Sequence, residues 1–192
     1  MKPRILTFAG SARAESVNKK LARFAASRIP ENQADVTVLD LADFPLPLYD
    51  QDLEARDGLP EKAKELKTLM NDSHAFLIAC PEYNSSIPPL LKNVIDWCSR
   101  PASDDEPILE ATTGKVVGLM AASPGGLGGL RVLRHVREIY GNIGAIVLPE
   151  QVAVGGAYDS FDDQGQLTDD SSIKRVEALV QRLIEVTSKL RG

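Results

Sequence analysis

Two stretches of this chain combine residue types that could do chemistry: GSARAESVN at 10–18 and PEYNSSIPP at 81–89. In the first, Ser11, Ser16 and Asn18 offer neutral donors and Arg13 a charged one. The residues after Ser16 alternate as a helix would, so free main-chain N–H groups gather at the same place. An oxyanion there gains from both the donors and the helix dipole. Hydrogen bonds to a charged group contribute about 1.5–3 kcal/mol each, so three or four would hold a phosphate monoester firmly. The stretch lacks the Gly-Lys-Ser/Thr ending of a triphosphate loop and the Gly-x-Gly-x-x-Gly turn of a dinucleotide site. Without a ligand it reads as a plain turn capped by Ser16.

The second stretch places Glu82, Tyr83 and Asn84 between Pro81 and the pair Pro88-Pro89. A flat heteroaromatic ring needs main-chain N–H and C=O groups at its edge and shape against its face. A proline-stiffened loop can supply both. The plainer reading makes Tyr83 a packing residue and Glu82 a solvated one. A third stretch, SPGGLGG at 123–129, has four glycines that allow close approach of backbone to a ligand, or simply a flexible turn. A phosphate grip beside a ring platform fits flavin mononucleotide (FMN), and hence redox chemistry.

The elements that position these stretches follow from apolar pattern. Short apolar runs at 5–9, 36–41, 75–80 and 116–122 read as strands, with two further pieces at 145–148 and 151–154 parted by Pro149. Helical spacing begins at Ser16 and recurs over 61–71, 90–100, 130–140 and 171–190, while the proline-bearing segment 44–60 reads as a loop. Strands alternating with helices predict an α/β chain with a doubly wound, five-stranded parallel sheet in the flavodoxin-like order 2-1-3-4-5, one domain over residues 1–192. The wholly apolar run AFLIAC suits the middle of that sheet. In this order the topological switch lies between strands 1 and 3, and ligands bind beyond the carboxyl ends of strands at such a point. The two opening stretches leave those two strands.

Composition narrows the classes. The chain has 22 basic and 27 acidic residues, a net charge of −5, which argues against nucleic acid as a partner. No apolar run approaches about 18 residues, so neither a membrane span nor a leader is expected. Cys80 and Cys98 lack metal-ligand spacing and there are only two histidines, so no metal is expected. Two thiols in apolar surroundings suit a reducing cytoplasm. His74 and His135 have no nucleophile motif beside them, so no catalytic residue is assigned. Arg131, Arg134 and Arg137 share a helix face, either solvated, in a subunit contact, or recruiting an anionic cosubstrate.

The chain resembles the NADPH-dependent FMN reductase family, the flavodoxin-like group with azoreductase, quinone reductase and chromate reductase members. GSARAESVN, PLPLYDQDLE at 45–54, PEYNSSIPPLLKNVIDWCSR at 81–100 and the glycine stretch from Ser123 carry the resemblance. It implies that Ser11, Arg13, Ser16, Val17 and Asn18 hold the FMN phosphate. It further implies that Pro81, Glu82, Tyr83, Asn84, Ser123, Pro124, Gly125 and Gly126 meet the isoalloxazine ring. Tightly bound FMN, NAD(P)H as cosubstrate, and a homodimer or homotetramer are the matching expectations. The acceptor would be a quinone, azo compound, free flavin or metal oxyanion. His74 and Cys80 depart from the residues usual in relatives. The rival readings are a flavodoxin-like electron carrier, which would need a Thr/Ser-rich phosphate loop, and an interaction module that has lost its flavin.

Overall fold

A computed structural model describes residues 2–192. Five strands, β1 (Arg4–Ala9), β2 (Asp35–Val38), β3 (Ala75–Ala79), β4 (Val116–Ala122) and β5 (Ile146–Val154), form one all-parallel sheet in the order β2-β1-β3-β4-β5. Six α-helices flank it: α1 (Val17–Ser27), α2 (Gln51–Asp57), α3 (Glu61–Asp72), α4 (Pro89–Cys98), α5 (Leu130–Asn142) and α6 (Asp170–Arg191). Central β3 is fully buried, as its unbroken apolar sequence requires. Its side chains alternate between two cores. Ala75, Leu77 and Ala79 pack with α1 and α6, while Phe76 and Ile78 pack with α3, α4 and α5.

Three elements differ from the sequence expectation. The second strand stops at Val38, and Leu41 belongs to a single 3-10 turn at 41–43. Asp40 accepts from the N–H of Ala42 and so turns the chain out of the sheet. Segment 44–60, expected to be loop throughout, contains the short helix α2. Asp50 caps it by accepting from the N–H groups of Asp52 and Leu53, and Gly58 ends it at φ 73.

The expected break at Pro149 is a bulge inside one continuous β5. Val117 pairs with Val147 and Leu119 with Gln151, so two steps along β4 match four along β5. An edge strand tolerates this, because proline has no N–H to contribute. The Arg137 guanidinium donates to the freed carbonyls of Val147 and Leu148. That arginine is therefore engaged with the sheet rather than left to recruit an anionic cosubstrate.

The segment 45–50 has no regular structure, yet α4 fixes it. Asn93 Nδ2 and Trp97 Nε1 both donate to Pro47 O, at 2.9 and 2.8 Å, while Asn93 Oδ1 accepts from Tyr49 N–H at 2.7 Å. The Tyr49 ring meets Trp97 edge-on at 5.0 Å between centroids. These bonds explain why PLPLYDQ and LKNVIDW occur in one chain. They also leave Leu48 79% exposed on a fixed arch.

Just before β3, at its amino end, His74 sits among cations. Its Nδ1 accepts from Arg4 N–H at 2.8 Å and lies 2.5 Å from Arg191 Nη1. Desolvation, then the charges of Arg191, Arg4 and Lys115, lower its pKa from 6.5 to about 4. A histidine kept neutral by the fold contributes stability that is fully present above its unfolded value. That stability is lost as pH falls from 6.5 through about 4. His74→Gln should therefore flatten the fall of the urea midpoint across that window. An unchanged slope would show that other groups carry it.

Candidate functional site

Three strand exits meet at the carboxyl edge. Gly10 N–H donates to Ala79 O at 2.9 Å, Cys80 N–H to Met120 O at 2.8 Å, and Ser123 N–H to Val154 O at 3.1 Å. Each loop thus leaves its strand already bonded to the neighbour. A Cβ on Gly10 would lie 3.1 Å from Leu91 Cβ, so the absence of a side chain lets the first loop pass close beneath α4.

Between the loops lies a cleft of about 370 Å³. Ser11, Arg13, Ser16, Val17 and Asn18 line it from the first loop, Pro81, Glu82 and Tyr83 from the second, and Ser123 and Pro124 from the third. Asn84, Gly125 and Gly126 are not among its walls. Ala122 and Tyr158 are, and sequence reasoning missed both. Tyr158, 69% exposed, sits just beyond β5 in a stretch with no helical or strand period to flag it. A larger groove of about 710 Å³ beside β2 is walled by Ala22, Ala26, Val36 and Val38. It lies on one flank of the sheet, where the three loops do not converge.

The first loop gathers groups that could receive an anion. Ser16 stands at the N-cap of α1, but its hydroxyl makes no bond back to the helix, and no acidic residue occupies the first turn. The expected capping role of Ser16 is therefore not taken up, which leaves the hydroxyl and the helix donors for a ligand. Ser11 and Ser16 are buried, and Arg13 is exposed at the rim. Buried Lys19 braces the loop from behind, donating to Ala12 O at 3.1 Å and to Asp40 Oδ2 at 2.6 Å. Burial pushes the Asp40 carboxyl up, but the bonds from Lys19 and the Ala42 N–H, with the charges of Lys19 and Arg23, hold it below the ordinary value.

Asn18 has a different task from its neighbours. Its Nδ2 donates to Ala122 O at 2.8 Å and its Oδ1 accepts from Ala122 N–H at 2.9 Å. The carboxamide thereby ties the first loop to the end of β4, and only its main-chain N–H is left to face an anion.

The second loop is a tight turn. Tyr83 and Ser86 exchange two main-chain bonds of 3.0 Å, with Asn84 and Ser85 both left-handed at φ 50 and 67. Such residues carry strain unless neighbours fix them, and strain of this kind gathers at ligand sites. Ser86 Oγ lies 2.9 Å from His135 Nδ1, fastening the turn to α5.

In the glycine stretch the four residues divide. A Cβ on Gly128 would meet Val154 C at 2.6 Å, and one on Gly129 would meet Ala121 Cβ at 2.7 Å, so these two serve packing. A Cβ on Gly126 would meet nothing within 4 Å, and one on Gly125 only Ser123 Oγ at 3.9 Å. Donors for an anionic tail at one end and two constrained loops at the other suit a phosphate monoester carrying a planar ring, which is what FMN is.

Burial pushes both thiols up, that of Cys98 to about 12 and that of Cys80 further, so both stay protonated. Cys80 packs in the core with Leu6, Phe8 and Leu91 rather than facing the cleft.

Residues 3–159 match the protein family described as NADPH-dependent FMN reductase. The chain belongs to that family. Curated relatives of this reductase include a quinone reductase of Pseudomonas putida, 36% identical over 162 residues that make up 83% of this chain and 82% of the relative. An NAD(P)H-dependent FMN reductase of Pseudomonas aeruginosa is 32% identical over 192 residues, 98% of this chain and 97% of its own. Among solved structures, the flavoenzyme NAD(P)H:(acceptor) oxidoreductase FerB from Paracoccus denitrificans superposes with a TM-score of 0.82 at 26% identity. That match covers 97% of this chain and 98% of FerB. The reductase is thus an oxidoreductase with the flavodoxin-like fold. Among its described residues no helix is long and apolar enough to cross a membrane.

Proposed function

We propose that this reductase binds FMN in the cleft between the three loops and passes hydride equivalents from NAD(P)H to a small second acceptor. The observation that carries the reading is the convergence, in one cleft, of an acid-free helix start and a conformationally constrained loop. Bound there, FMN would supply the redox chemistry, taking hydride from a nicotinamide and releasing electrons onward. The chain's own work is placement. Ser11, Arg13, Ser16 and the N–H groups of Val17 and Asn18 surround the phosphate. Main chain from Pro81 to Tyr83 meets the ring edge, and Ser123 and Pro124 lie along its other flank. The acceptor class is quinones, azo compounds, free flavins or metal oxyanions. Exposed Tyr83 and Tyr158 at the mouth favour the aromatic members of that class.

Anaerobic mixing of FMN-loaded protein with NADPH or NADH should bleach the flavin absorbance, and an added quinone should restore it. A flavin that NAD(P)H leaves oxidised would point to an electron carrier instead. Apoprotein that takes up no FMN would end the reading altogether.

The partner proposed is a second copy of the chain. Exposed Leu48, fixed on its arch, stands to one side of α4. On the other side a groove of about 580 Å³ between α4 and α5 has Ile87, Ile95, Ile139 and Ile143 in its walls. A two-fold axis near α4 would set each leucine in the other's groove. The two free, buried cysteines support a reducing cytoplasm as the setting.

A further inference from the structure

Helix α5 cannot cap itself. Its N-cap position, Gly129, is left-handed at φ 84 and makes no side-chain cap, and a Cβ there would lie 2.7 Å from Ala121 Cβ. The close approach to β4 demands glycine, so the first-turn N–H groups of α5 need a partner from elsewhere. Glu82 provides it from the exit of β3. Its Oε2 accepts from the N–H groups of Arg131 and Val132 at 3.0 and 3.2 Å, and its Oε1 accepts from Arg131 Nε at 3.0 Å. The Glu82 side chain is only 10% exposed. A carboxylate at a helix start gains from charge-assisted bonds and from the dipole together.

We infer that Glu82 is a positioning residue for the ring end of the cleft, acting as a clasp between the β3 exit loop and the start of α5. The inference rests on the FMN reading above. Through α5 the clasp reaches the glycine stretch, so the two loops that flank the ring keep a fixed separation. The Ser86–His135 contact is a second fastening further along the same turn. With its carboxylate consumed in this way, Glu82 presents main chain rather than charge to a ligand. The two left-handed residues that follow are held by what Glu82 and Ser86 grip.

The test compares FMN with riboflavin, which has the ring but no phosphate, by quenching of flavin fluorescence on apoprotein. Glu82→Gln keeps the shape and loses the charge. It should weaken both flavins by the same factor, about tenfold, and shift the visible bands of bound flavin, with far-UV circular dichroism unchanged. Arg131→Met keeps both main-chain bonds and loses only an ion pair whose arginine is 56% exposed. It should bind both within about twofold of the unaltered chain. A loss confined to FMN would place Glu82 at the phosphate end and overturn the inference. Unchanged binding would overturn it too, and so would a Glu82→Gln chain that is unfolded without flavin, since Glu82 would then be a folding residue. An unaltered chain that binds neither flavin would instead defeat the FMN reading itself, whatever Glu82 does.

Discussion

Replacing Arg13 with alanine is expected to raise the dissociation constant for FMN roughly ten- to a hundredfold and to leave that for riboflavin where it was. One charge-assisted bond to a phosphate is worth about 1.5–3 kcal/mol, and every 1.4 kcal/mol is about a factor of ten. Arg13 is exposed at the rim, and its N–H bond to Ser11 Oγ, 3.3 Å, belongs to the main chain and survives the change. The apoprotein should therefore melt where the unaltered protein does. Equal losses for the two flavins would move Arg13 to the ring, and undiminished FMN affinity would take the phosphate away from this loop.

Asn18→Leu should show the opposite signature, a large loss of stability even without ligand. The side chain is 1% exposed and carries both bonds to Ala122. A leucine would leave a buried N–H and a buried C=O without partners, at a cost of roughly 2–5 kcal/mol. For a chain of this size that corresponds to a fall of about 5–15 °C in the melting temperature. FMN should then recover part of the loss, because a ligand spanning the loops stabilises the folded form by mass action. A melting temperature within about 2 °C of the unaltered protein would show that the pair is dispensable.

Sequence pattern carried as far as pairing within one element. The fourth strand, Val116 to Ala122, occupies the residues its apolar run marks out, and β3 lies at the centre as an unbroken apolar strand must. Strand order followed from the alternation of elements, and with it the meeting place of the first and second loops. What stayed hidden depends on contacts across long stretches of chain. Glu82 and Arg131 are 49 positions apart, as are Tyr49 and Asn93 by 44, and no spacing rule links either pair. A glutamate after a strand looks solvated until the uncapped helix beside it is seen. Helix α2 was obscured because Pro45, Pro47 and Pro60 bracket it, although Asp50 carries the capping signal. Ser16 misled in the other direction, having the type and place of a cap while leaving its helix uncapped.

The arch formed by Pro47, Leu48 and Tyr49 bears on engineering. Prolines, no regular backbone and an outward leucine are the marks by which a permissive insertion point is usually chosen. Here three side-chain bonds from Asn93 and Trp97 staple the backbone on both sides of that leucine. An epitope tag or extra residues spliced in at 47–49 would tear those staples out and loosen the indole beneath. Splicing would be gentler at the 162–166 turn, whose bonds are local to itself.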